Sequence, residues 1–282
     1  MSLPFELLEE VVKHDSELFL KCIKFLTTRT VNCLTRFHFD VPEGYSIQDF
    51  YNKTSVDTRE EQFVNGRVPF FPNLVTLICP KQNLTSLPAL PNVTKLHCNN
   101  NKLTALPDLP SVIELYCSNN QLVSLPDLPN VVHLHCNNNI LLESLPNLSK
   151  VVTLQCGSNS LKSLPSLPEI VSLYCRCNKL TSLPRLDKVV DLKCGNNRLT
   201  SLPALPEVVE LWCSKNKLTS LPDLPKVIQL WSSNNMLTIL PNLPEVVTLS
   251  CENNQLTSFP YFPKIRMFFS YGNKERTSLK SV

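Results

Sequence analysis

A solenoid of short repeats built on one parallel β-sheet is the fold class this sequence predicts, and three observations carry it. A large apolar residue recurs at a fixed interval. From Leu77 the series runs through Leu96, Leu115, Leu134, Leu154, Leu173, Leu192, Leu211, Leu230 and Leu249 to Phe268, at 19 residues per step except for 20 between Leu134 and Leu154. Most members of the series open a Leu-x-Cys alternation. Each copy then ends on a proline-rich tail, which is why the chain holds 23 Pro against only 5 Gly. A fixed short period means stacked units, each covering the hydrophobic face of its neighbour.

The alternation defines the strand. Leu96 and Cys98 stand two residues apart and share one strand face, while His97 between them points the other way. One copy, residues 93–111, reads VTKLHCNNNKLTALPDLPS. Each copy therefore supplies one short strand to a parallel sheet, and stacked neighbours cover each other's Leu, Cys and Val. A buried large side chain contributes on the order of 1.5–3 kcal/mol, a gain that a single copy cannot exploit alone. The tail defines the return path. Proline fixes φ and biases its predecessor to extended geometry, so this side is polyproline-like and not helical. The one extra residue falls within 140–145, where NILLESLP replaces the usual N-x-L-x-x-L-P; a small bulge in that connection absorbs it.

The full pattern, V-x-x-L-x-C-x-x-N-x-L-x-x-L-P-x-L-P-x, resembles the leucine-rich repeat family, whose core reads L-x-x-L-x-L-x-x-N-x-L. Cys takes the third apolar slot here. The L-P-x-L-P tail (Leu106, Pro107, Leu109, Pro110 and their copies) looks like the short bacterial-type subclass, known from effector proteins that pathogens inject into host cells; similar repeats occur in large DNA viruses. The resemblance covers about residues 70–273. It implies a horseshoe with a concave parallel sheet and an extended convex side. It also implies a role for the asparagine five places after each strand leucine, from Asn101 to Asn273, with Gln82 in the first copy. In this family such a residue satisfies backbone groups as the chain leaves the strand, as buried polar groups require.

Nine of the twelve cysteines share the inward slot: Cys79, Cys98, Cys117, Cys136, Cys156, Cys175, Cys194, Cys213 and Cys251, with Ser232 and Ser270 in the remaining copies. A zinc site needs four converging ligands, whereas these sulfurs form a line at about the 4.8 Å strand spacing. The pairs His97–Cys98 and His135–Cys136 fail as ligand pairs, because adjacent strand residues face opposite ways. Distance alone does not exclude disulfides between neighbouring strands. The reading taken is that Cys is a small buried hydrophobe suited to a tight repeat, in a reducing compartment. No metal and no cofactor is expected.

The outward strand column varies while the inward columns stay nearly constant, which is how a fixed scaffold encodes a specific surface. The expected partner-binding strip on the concave face is His97, Tyr116, His135, Tyr174, Lys193, Trp212, Trp231 and Phe269. Both tryptophans of the chain lie in it, on adjacent strands, and Trp and Tyr dominate protein interfaces. The alternative is that aromatics sit there because strands favour them. Flanking charges such as Lys95, Glu114, Asp191 and Glu210 are of mixed sign, which suits a protein partner better than a phosphate backbone.

Residues 1–40 read differently. Leu3, Leu7, Leu8, Val11 and Val12 have helical spacing after Pro4, and a second helix is expected from near Asp15 to about Leu26. A small α-helical cap over the first repeat is one reading. The opening LPFELLEEVV also resembles the start of an F-box, which docks on a Skp1-like adaptor of a ubiquitin ligase; Leu3, Pro4, Leu7 and Leu8 would then be the docking residues. Residues 41–68 are expected to be a connecting loop with little regular structure, 69–273 the repeats, and 274–282 a tail.

Composition bounds the function. A net charge of +3 is small for a nucleic-acid footprint, no apolar run approaches the roughly 20 residues that span a bilayer, and the acidic start does not read as a signal peptide. No P-loop, nucleophile elbow or HExxH motif occurs. The sequence therefore predicts a non-catalytic, cytoplasmic protein-interaction module with no nucleic-acid or membrane partner. The alternative is a substrate adaptor acting through residues 1–40.

Overall fold

The computed structural model describes residues 53–59, 68, 71 and 73–274. Every strand in it is three residues long. The sheet begins with β1 (Ser55–Asp57), β2 (Thr76–Ile78), β3 (Lys95–His97), β4 (Glu114–Tyr116), β5 (His133–His135) and β6 (Thr153–Gln155). It continues through β7 (Ser172–Tyr174), β8 (Asp191–Lys193), β9 (Glu210–Trp212), β10 (Gln229–Trp231), β11 (Thr248–Ser250) and β12 (Met267–Phe269). The twelve strands form one sheet in chain order, each pairing in parallel with the next. Register follows the repeat: Leu77 faces Leu96, Leu96 faces Leu115, and so on to Leu249 opposite Phe268. The molecule is a solenoid of about eleven turns, and the described residues contain no helix.

Three inward columns make the core. The strand leucines, the cysteines two places later and the valines before them are fully buried through nearly every turn, as at Val131, Leu134 and Cys136. Leucines of the N-x-L and P-x-L positions, such as Leu122 and Leu128, close each turn from the return side. In the last turn the leucines give way to Phe259, Phe262 and Phe268. Phe259 and Phe268 meet edge to face at 5.0 Å, so bulkier rings fill the final layer.

The asparagine column ties turn to turn. Asn101 Nδ2 donates to the carbonyls of Cys79 (2.8 Å) and Cys98 (2.9 Å), and its Oδ1 accepts from Leu84 N–H (3.0 Å). The pattern repeats at Asn120, which bonds the Cys98 and Cys117 carbonyls and the Leu103 N–H. A single side chain thus satisfies three backbone groups in two turns. Gln82, in the first copy, bonds differently: its side-chain Nε2 donates to the Pro80 carbonyl (3.2 Å), and its backbone N–H donates to Asn101 Oδ1 (2.9 Å).

The extra residue is absorbed at Ile140–Leu141. A turn closes there through Leu142 N–H to Asn139 C=O (2.8 Å), with Ile140 and Leu141 exposed. Asn159 Oδ1, which would otherwise accept from the leucine, takes the N–H of Asn139 instead (2.7 Å).

One expectation is corrected. Residues 41–68 are not loop throughout, because β1 lies within them and extends the sheet by one strand. Val56 pairs with Leu77 and is fully buried, and Thr58 occupies the slot that later copies give to Cys, its N–H donating to Ile78 C=O (2.8 Å). The step from Val56 to Leu77 is 21 residues, and Val56 and Thr58 stand where later copies have Leu and Cys, so a search by period passes over it. The helical cap expected in residues 1–40, with Leu3, Pro4, Leu7 and Leu8, lies outside the described residues.

Candidate interaction surface

All eight residues of the expected strip project from the solvent face of the sheet, on β3, β4, β5, β7, β8, β9, β10 and β12. The backbone dictates this: each but Phe269 follows a buried leucine and precedes a buried inward residue, and Phe269 follows the partly buried Phe268. The register sets them in one column. Their side chains nonetheless fall into two aromatic groups with a charged centre between them.

The first group is a stack. His97 and Tyr116 lie with ring centroids 4.2 Å apart and planes 6° from parallel; Tyr116 and His135 follow at 4.1 Å and 3°. Both separations are shorter than the roughly 4.8 Å between strand backbones, so the side chains lean together. Their faces are spent on each other. His97 Nε2 sits 2.7 Å from Glu114 Oε1, and Lys95 Nζ lies 3.2 Å from Glu114 Oε2. Burial alone would raise the Glu114 carboxyl, but hydrogen bonds from His97 and Lys95 outweigh it and hold it below the usual range. Burial, helped by the neighbouring His133, pushes the His135 imidazole down.

The centre is Lys193. Its ammonium sits 4.8 Å from the ring centroids of both Tyr174 and Trp212, between two cation–π faces. Glu210 lies 3.2 Å from it and Asp191 3.7 Å. The Tyr174 hydroxyl donates to Asp191, and this bond, reinforced by burial, pushes the phenol up to about 12.

The second group is looser. Trp212 and Trp231 meet at 5.7 Å and 51°, and Trp231 reaches Phe269 at 6.4 Å and 22°. Trp231 and Phe269 are two strands apart. They come together over Ser250, whose small side chain is buried and, with Ser233, is hydrogen-bonded to Glu252. Trp212 is 38% and Phe269 42% exposed. Met267 and Tyr271, which the sequence reading passed over, extend this apolar area at 49% and 68% exposure. Their signal was faint: Met267 occupies a flanking position that is polar in most other copies. Trp231 Nε1 is buried and finds no hydrogen-bond acceptor among the described residues.

The cysteine column lies on the opposite side of the sheet from this surface. All nine thiols are buried and unbridged. Burial pushes the Cys136 and Cys194 thiols up to about 12, the direction of inert structural cysteines. Among the described residues no three His, Cys, Asp or Glu side chains converge as metal ligands. No helix among them is long and apolar enough to cross a membrane.

No protein-family model and no curated protein sequence matches the chain. Solved structures do. YopM from Yersinia enterocolitica WA-314 superposes with a TM-score of 0.65 at 25% identity, over 89% of this chain and 69% of that one. YopM from Yersinia pestis, a leucine-rich effector protein, gives 0.54 at 28% identity over 87% and 71%. The functional domain of InlJ from Listeria monocytogenes, which includes a cysteine ladder, gives 0.54 at 25% over 71% and 54%. The repeat, the twelve-strand parallel sheet and these structural likenesses together support a leucine-rich repeat solenoid as the fold of the chain.

Proposed function

We propose that the chain is a non-catalytic protein-interaction module that binds a protein partner on the concave face of its repeats, centred on Trp212, Trp231 and Phe269. The observation that carries this is the exposed apolar area on those strands, where Met267 and Tyr271 near Phe269 in the chain are exposed as well. Contiguous apolar area on a soluble surface marks interaction sites, and Trp and Tyr are the usual anchors. The leucine-rich effector from Yersinia pestis and the L-P-x-L-P tail support a bacterial-type, effector-like reading. The unbridged thiol column supports a reducing, intracellular setting.

The test is affinity capture from cell lysate, comparing wild type, Trp212→Ala/Trp231→Ala and a return-side control, Asp223→Ala. A partner kept by the control and lost by the double variant supports the reading. A partner held equally by all three overturns it. The adaptor alternative rests on Leu3, Pro4, Leu7 and Leu8; capture of a Skp1-like protein that Leu3→Ala/Leu7→Ala abolishes would establish it.

A further inference from the structure

Cations in this protein are distributed unevenly. On the sheet face Lys95 and Lys193 each lie 3.2 Å from a carboxylate, of Glu114 and Glu210 respectively. At the turns leading into the strands, lysines and glutamates alternate from copy to copy and pair: Lys188 with Glu169 (2.7 Å), Lys226 with Glu207 (2.6 Å) and Lys264 with Glu245 (2.5 Å). The ridge where the chain leaves each strand is different. In three successive turns it reads RCNK (176–179), GNNR (195–198) and SKNK (214–217), with no acidic residue. Arg176, Lys179, Arg198, Lys215 and Lys217 are all exposed there, and none forms an ion pair among the described residues. Five charges stand on this short edge of a molecule whose net charge is +3.

The backbone sets their spacing. The column asparagines Asn178, Asn197 and Asn216 lock each turn to the one before it by donating to the Cys156, Cys175 and Cys194 carbonyls respectively. Lys179, Arg198 and Lys217 each follow one of those asparagines, so they form a file at about the 4.8 Å strand interval. That interval is close to the roughly 5.4 Å pitch of an α-helix, whose residues at i, i+3/i+4 and i+7 form a stripe on one face.

We infer that this ridge is a second docking surface, separate from the aromatic face, for an acidic peptide segment bound as a helix along the solenoid axis with its Asp and Glu stripe against Lys179, Arg198 and Lys217. Charge complementarity selects the partner. A peptide is favoured over a nucleic acid because these three ridge segments carry no aromatic side chain on which a base could stack.

The probe is a fluorescein-labelled, alanine-based helical peptide of about 15 residues with glutamates on one face, long enough to hold a helix in water. The comparisons are an isomer with the same glutamates scattered around the helix, and a single-stranded oligothymidine. Anisotropy is read against the full chain, its Arg198→Glu/Lys217→Glu variant and a Lys81→Glu control on the same ridge at the far end. Expected are saturable binding of the striped peptide that weakens as salt rises, weaker binding of the isomer, and a loss of about tenfold or more in the double variant alone. Unchanged thermal unfolding of the variants shows that the fold is intact. No binding, equal binding of the two isomers, or an equal effect of Lys81→Glu would overturn the inference. Tighter binding of the oligothymidine than of the striped peptide would overturn it in favour of a nucleic acid.

Discussion

The two aromatic groups occupy the same column of the same scaffold, yet they are different surfaces. From β3 to β5 the rings of His97, Tyr116 and His135 are parallel at 4.1–4.2 Å, and each face covers the next. From β9 to β12 the rings of Trp212, Trp231 and Phe269 are tilted or farther apart, at 5.7 and 6.4 Å, and stay partly open. Neighbour size decides the difference. Three similar flat rings on consecutive strands stack. The indoles of Trp212 and Trp231 cross at 51° instead, and Ser250 between Trp231 and Phe269 interrupts the file. The stack covers its own ring faces, whereas the open group leaves apolar area exposed.

The largest expected effect strikes both groups alike, because both rest on the asparagine column. Asn139 is fully buried and serves the Cys117 and Cys136 carbonyls and the Leu122 N–H. Asn139→Ala strands these groups at about 1–3 kcal/mol each, so chemical denaturation should show a loss of about 3 kcal/mol or more. A loss below about 1 kcal/mol would remove the column from the account of stability. Next comes the contrast itself. Trp212→Ala/Trp231→Ala should weaken partner binding by about thirtyfold or more, equivalent to about 2 kcal/mol. His97→Ala/His135→Ala should leave affinity within about threefold and lower the melting temperature instead. Titration calorimetry and thermal unfolding on both variants read this directly; the reverse pattern would exchange the roles of the two groups.

Smaller effects sharpen the boundary. The Tyr174 phenol should ionise only near pH 12, visible as a late phase in ultraviolet titration. Tyr174→Phe should delete that phase and cost about 1.5–3 kcal/mol or less, the range for hydrogen bonds to charged groups. The smallest effect is the pH response of the stack. The His135 imidazole is held below its ordinary value in the folded protein, so the unfolded chain takes up the proton first as pH falls. Its contribution is present above the unfolded value near 6.5 and is lost as pH drops below it. His135→Phe keeps a ring in the stack and should flatten the melting-temperature profile between about pH 7 and pH 5. A slope that survives the substitution would assign it to another group.

The repeated features were legible because each copy restates them. Leu, Cys, Val and Asn meet the same surroundings in turn after turn, so the period implied the burial of the apolar columns, and the resemblance to leucine-rich repeats implied the bonds of the asparagines. The bulge at Ile140–Leu141 was legible for the same reason, as a break in that period. β1 was not, because Val56 and Thr58 fill the leucine and cysteine slots at an irregular distance and with other residues. The unbroken cation file of the ridge also went unread: its members are adjacent in space but 19 residues apart in the chain, among columns of mixed charge.

By itself the sequence determined the solenoid, its parallel strands and inward columns, and which residues would face out from the sheet. These follow from spacing along the chain, which the backbone converts directly into facing. The tertiary structure alone decided which outward residues are consumed by one another: the His97–Tyr116–His135 stack, the lysine held between Tyr174 and Trp212, and the closure of Trp231 and Phe269 over Ser250. Those outcomes depend on the shape and tilt of side chains on neighbouring strands, and a repeat period carries no information about either.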